Sequence, residues 1–150
     1  MTEFNHLLAT RNNFIRLIDS LTTEQLNIIP ARYSNNIIWN FAHNIVTQQL
    51  LCYKLASNEM YIDDEIVDNY RKGSKPTGVV TEKEISDLKK LSLELVSKME
   101  IDLKSKDFNY NSYTTSYNVT LNSIDDAIKF NNVHEGLHLG YAMAMKKLVL

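Results

Sequence analysis

The sequence predicts an all-α protein, a four-helix bundle that is not a simple up-down-up-down chain. Three observations predict it. Four glycines and two prolines in 150 residues are too sparse a punctuation for an all-β fold. Four long segments place apolar residues at i, i+3, i+4 spacing, the pattern of a helix with a buried face. Two long connections, residues 58–80 and 105–122, follow the second and third of those segments, and a bundle with long crossings departs from simple alternation. A chain of this length fits one domain, 1–150, burying about 68–70% of the surface its unfolded chain exposes.

The first helix is expected over about Glu3 to Asp19, where Phe4, Leu7, Leu8, Phe14, Ile15 and Ile18 share a face. Thr22-Thr23-Glu24-Gln25-Leu26 reads as a short helical turn, closed by Pro30. The second helix starts at Asn35 or Asn36, either of which can cap, and runs to about Ser57. It carries two apolar stripes on opposite sides: Trp39, His43, Val46 and Leu50 on one, and Ile38, Phe41, Ile45, Cys52 and Ala56 on the other. A helix apolar on both sides is buried on both sides, at the bundle centre or at a subunit interface. Residues 58–80 read as a polar connection. Thr81-Glu82-Lys83-Glu84 is a capping box that opens the third helix, whose stripe is Ile85, Leu88, Leu95, Val96, Met99 and Leu103. Residues 105–122 read as a long loop or irregular hairpin. The last helix starts at Ser123, with Asp125 and Asp126 at its positive end and Lys146 and Lys147 at its negative end.

Composition narrows the function. One cysteine, Cys52, precludes a disulfide within the chain and fits a reducing cytoplasm. No signal peptide and no membrane-length apolar run is visible. A formal net charge of −2 with interspersed signs marks neither a nucleic-acid nor an anionic-membrane surface. The expected setting is cytoplasmic and the expected partner a small-molecule substrate.

The chemistry lies in three histidines. His134 and His138, one turn apart in Val133-His134-Glu135-Gly136-Leu137-His138, project from the same face of the last helix. A 100° projection sets them beside Ala127, Phe130, Leu137, Tyr141, Met145 and Leu148, so they are expected to point into the bundle. His43 is expected to point inward from the second helix, whereas His6 falls on the outer side of the first. A core histidine is more often a hydrogen-bonded packing residue than a ligand. Three buried imidazoles without a shared partner are costly, however. Three imidazoles with an open position are the usual catalytic zinc arrangement. The segment also satisfies H-E-x-x-H literally, but two glycines in the helix and the bundle context do not resemble a protease. Glu135 lies about 100° around from His134, and is read either as a base or supporting group, or as a solvated helix charge.

At these residues the chain resembles the DinB/YfiT-like superfamily of metalloenzymes over nearly its whole length. The resemblance rests on L-T-T-E-Q-L after the first helix, I-I-W-N-F-A-H ending at His43, and the terminal V-H-E-G-L-H-L-G-Y-A-M-A-M-K-K-L. It implies a bundle of up-down-down-up topology and a divalent metal, zinc or nickel, on His43, His134 and His138. It also implies, among relatives, thiol-dependent S-transferases and isomerases that use low-molecular-weight thiols. An open metal position suits a thiol-dependent S-transferase acting on small electrophiles. It equally suits a metal-dependent hydrolase, and a non-catalytic dimeric metal-binding bundle is the third alternative.

Further residues are candidates for substrate contact or for support of the ligands. Asn40 and Thr47 flank His43, and Tyr141 follows His138 by one turn. Arg11, in the middle of the first apolar stripe, is read as pairing with a buried acid or reaching the helix edge in preference to binding a substrate carboxylate. Tyr61 and Tyr70 fall in the connection, and Cys52 is read as packing. Gly136 and Gly140 lie opposite the histidines, which with the two-sided second helix makes a homodimer an expectation.

Overall fold

The computed structural model describes residues 2–150. Six helices form: α1 (Thr2–Asp19), α2 (Thr23–Asn27), α3 (Ile37–Cys52), α4 (Asp64–Tyr70), α5 (Glu82–Ser105) and α6 (Ile124–Val149). Strands β1 (Tyr113–Thr114) and β2 (Thr120–Leu121) pair antiparallel between α5 and α6. From α2 onward each helix begins at a capping side chain. Thr22, Asn36, Asp63, Thr81 and Ser123 each accept a bond from the backbone N–H three residues ahead, and such a cap contributes about 1 kcal/mol. Thr81 and Glu84 form the expected capping box, and Thr22 forms a second with Gln25.

Side-chain bonds fix the direction of every long helix. Asn132 donates to the Glu3 carbonyl and Lys146 to Ser20, so α1 and α6 run parallel. Asn40 meets Met145 while His43 meets His134, so α3 runs against α6. Lys89 pairs with Asp19 and Arg11 donates to the Ser92 carbonyl, so α5 runs against α1. The order is up-down-down-up, as the resemblance implied.

The core consists of two apolar clusters stacked along the bundle. One gathers Phe14, Ile38, Phe41, Leu88 and Met145, and the other Phe4, Leu7, Leu51, Met99 and Ile128. Between them lies a polar layer. Arg11 donates through Nη2 to Glu135 Oε1 at 2.7 Å and to Gln48 Oε1 at 3.0 Å, and through Nε to Glu135 Oε2 at 3.1 Å. Its Nη1 donates to the Ser92 carbonyl, and Asn131 donates to Glu135 Oε1 at 3.0 Å. Arg11 is 2% exposed and Glu135 0%.

That layer corrects the sequence projection of α6. The inward face is centred on Asn131, Glu135, Ala142 and Val149, whereas Leu137, Tyr141 and Leu148 are exposed. Treating Glu135 as an edge or solvated charge turned the helix too far, because the Arg11 guanidinium lets that carboxylate occupy the centre of the bundle. The histidines therefore sit on the flank of α6 that faces α3, and are partly exposed.

Helix α3 is buried along nearly its whole length, which answers its two-sided pattern: it is central. It also ends earlier than expected, at Cys52, followed by a 3₁₀ turn over Lys54–Ala56. The polar connection 58–80 contains a helix, α4, that its sequence pattern did not predict, although Asp63-Asp64-Glu65 is a sound helix start. Tyr53 and Tyr61 both donate to Asp102 Oδ2 at 2.8 Å, pinning this connection to α5. Asn111 N–H donates to the Leu55 carbonyl at 2.7 Å, which brings the β1–β2 hairpin over the end of α3. No helix among the described residues is long and apolar enough to cross a membrane.

Candidate metal centre

His43 lies at the middle of α3, and the α6 histidines are brought to it because the two helices run antiparallel side by side. The ligating nitrogens of His43, His134 and His138 all lie within 4.8 Å of one another. His43 Nε2 and His134 Nε2 are 3.2 Å apart. Two nitrogens bound to one tetrahedral zinc at about 2.0–2.1 Å are separated by about 3.3 Å, so the pair is already spaced as ligands.

The tautomers follow from the surrounding acceptors. Tyr70 offers a carbonyl 2.7 Å from His43 Nδ1, and a carbonyl only accepts, so Nδ1 carries the proton and Nε2 the lone pair. Asn40 Nδ2 donates to the Asn36 carbonyl at 2.8 Å and to Asn35 Oδ1 at 2.9 Å, which leaves its Oδ1 facing His138 Nδ1 at 2.7 Å. His138 is thereby protonated at Nδ1, with Nε2 free to ligate. Such acceptors hold a ligand ring in place and raise its basicity. His134 differs: its Nδ1 is buried with no partner. A buried cluster of acceptor nitrogens, one imidazole half-satisfied, fits a cation at its centre.

Charge supports the same fit. Burial lowers the pKa of all three imidazoles. His43 falls below its ordinary value despite its bond to the Tyr70 carbonyl. His134 falls to about 3, with the neighbouring His138 and His43 adding to burial, and His138 to about 4, with His43 adding. All three are neutral near pH 7, the form that binds a metal. The three residues can hold a metal ion.

The remaining candidates separate cleanly. Asn40 supports His138, and Thr47 Oγ1 lies 3.4 Å from His43 Nε2, on the wall of a cavity of about 330 Å³ that also exposes His43 and His134. Arg11 and Glu135 lie in the core layer, away from that cavity. Tyr141 is exposed and packs edge-on against Tyr33 at 5.3 Å. Cys52 is fully buried, and burial raises its pKa far above the usual thiol range, as a packing residue's would be. Two contributors were missed. The Tyr70 carbonyl ends α4, the helix left unrecognised. Trp39 stacks on His43 at 4.6 Å and 11° between ring planes, its indole N–H bonded to Ser74. Its position one turn before His43 on the same stripe was a legible signal.

A family model described as the DinB superfamily matches residues 6–142. The chain belongs to the DinB superfamily. The match reaches into all four long helices and includes all three histidines of the cluster. No curated protein matches the chain.

Proposed function

We propose that this DinB-superfamily protein is a metal-dependent transferase that joins a low-molecular-weight thiol to a small electrophile, using zinc or nickel on His43, His134 and His138. The observation that supports it most is the convergence of three neutral imidazoles beside a cavity. Three protein ligands leave a further position, the arrangement of catalytic rather than structural zinc sites. When bound, a divalent ion lowers the pKa of a thiol or water entering that position.

The chain's own residues account for the rest. Asn40 and the Tyr70 carbonyl hold two rings so that Nε2 faces the centre. Thr47 presents a hydroxyl beside His43 Nε2 on the cavity side, placed to hydrogen-bond a ligand entering there. The cavity, of about 330 Å³, matches the size of small-molecule sites. We further propose that two copies pair through the outer face of α6. Val133, Leu137 and Leu148 are exposed there, and a methyl group added at Gly136 or Gly140 meets nothing within 4 Å.

The test is elemental analysis of untagged protein, followed by a screen of electrophiles with and without thiol. About one metal per chain, lost in His138→Ala, and turnover only with thiol are expected. Turnover without thiol makes the enzyme a hydrolase. Retained metal in His138→Ala overturns the ligand set.

A further inference from the structure

The cavity beside the histidines is lined by more than the candidate ligands. Its apolar wall is formed by Leu50, Leu51, Leu55 and Phe130, and Lys54 and Lys72 also line it. Lys54 comes from the 3₁₀ turn after α3 and Lys72 from the segment after α4. Both lysines are exposed, and neither forms an ion pair among the described residues. No Asp or Glu lines the cavity. In a chain of net charge −2 this sign is a local choice, because the groove between α4 and α5 has the opposite one: Glu65, Glu84, Asp87 and Glu94 line it beside a single lysine. Three neutral imidazoles also leave the charge of a divalent ion uncompensated, so a bound ion and the lysines would both favour negative charge in the cavity.

We propose that this cavity selects an amphiphilic oxyanion: a short apolar chain over Leu50, Leu51, Leu55 and Phe130, with a carboxylate, sulfonate or phosphate held by Lys54 and Lys72. The inference deepens the transferase reading. It rests on that reading only for the reacting group of the ligand, placed at the histidines; the lysines set which thiols or electrophiles enter.

The role of the lysines is testable without metal. Metal-free protein is titrated near neutral pH with hexanesulfonate, hexanol and hexylamine by calorimetry and by amide chemical shifts. Hexanesulfonate is expected to bind about tenfold more tightly than hexanol, with hexylamine weakest, because two partly shielded charge pairs contribute about a factor of ten. Its affinity should fall with added salt. Shifts should centre on Lys54, Leu55, Lys72 and Phe130. The double variant Lys54→Gln/Lys72→Gln should lose the preference for sulfonate over alcohol, and Lys54→Arg/Lys72→Arg should keep it. Both side chains are exposed, so the variants should keep the helical content of the parent. Equal binding of sulfonate and alcohol, or an unchanged preference in the Gln variant, overturns the proposal. Trp39 is the only tryptophan, and its stacking on His43 makes its fluorescence a separate reading of zinc or nickel binding. Anion preference without a metal response sinks the transferase reading alone; a metal response without anion preference sinks this inference alone.

Discussion

Residues 134 and 135 are adjacent on α6 and begin two buried polar assemblies that are built on different logic. Glu135 enters a closed layer in which both carboxylate oxygens accept bonds and the Arg11 guanidinium reaches three partners. His134 enters a cluster in which its Nδ1 has no partner and its Nε2 lies 3.2 Å from His43 Nε2. The first assembly pairs its charged groups within the chain and lies far from solvent, with only Asn131 Oδ1 left without a partner. The second is incomplete and opens on a cavity. A satisfied buried network specifies how helices meet; an unsatisfied one, held in place by second partners such as Asn40, asks for something from outside.

The largest expected effect separates the two on stability. Glu135→Leu or Arg11→Met leaves a lone buried charge, and breaking such a pair costs about 3–5 kcal/mol. The double variant Arg11→Met/Glu135→Leu should recover most of that loss, since apolar replacements of a buried pair are often neutral. His134→Ala in metal-free protein should change stability by less than about 1 kcal/mol, because it removes an orphaned polar atom along with some packing. Urea midpoints of the four variants measure this. A His134→Ala loss as large as that of Glu135→Leu would erase the distinction.

Metal should act on one assembly only. At zinc concentrations about a hundredfold above the dissociation constant, linkage adds about 2.7 kcal/mol to folding, read as a rise in the thermal midpoint. His134→Ala should abolish the rise. An unchanged midpoint in the parent protein would leave the histidines as packing residues.

Support of the ligands is the next effect in size. Asn40→Ala frees His138 Nδ1 from its only acceptor, and loss of such a partner typically weakens metal affinity 10–100-fold. Competition with a chromophoric chelator gives the number. Asn40→Asp keeps an acceptor and should retain most of the affinity, whereas equal weakening in both variants would point to packing.

Much of this comparison was legible in the residues. Caps at Asn35 or Asn36, at Thr81 and at Ser123 placed three of the long helices, and the i, i+4 spacing of His134 and His138 put both on one flank. Periodicity failed where charge overrode it. Glu135 is invisible to a rule that sends acids outward, and only its pairing with Arg11, 124 positions away, reveals the true face of α6. A single-segment pattern carries no information about such a partner. Helix α4 was missed for another reason: it is seven residues long, too short for two turns of apolar repeat. With it went the Tyr70 carbonyl that orients His43. Backbone acceptors carry no side-chain signature, so that contribution waited for the structure.

A third face of α6 sharpens the contrast, because it is satisfied neither from within nor by the cavity. Gly136 and Gly140 stand in the interior of the helix, where glycine is about 1 kcal/mol less favourable than alanine. Apart from the adjacent residues and the helix's own nearby backbone, no heavy atom among the described residues comes within 4 Å of where a Cβ would stand at either position. Packing within the chain therefore gives no reason for them. Gly136→Ala and Gly140→Ala should each raise the stability of the isolated protomer by up to about 1 kcal/mol, measured in urea at high dilution. If the face docks a second copy by close approach, the same substitutions should weaken the dimer in sedimentation runs over a range of concentrations. Opposite signs in the two measurements identify a face shaped by a partner. A dimer equally tight in wild type and variants would place the contact elsewhere on the molecule.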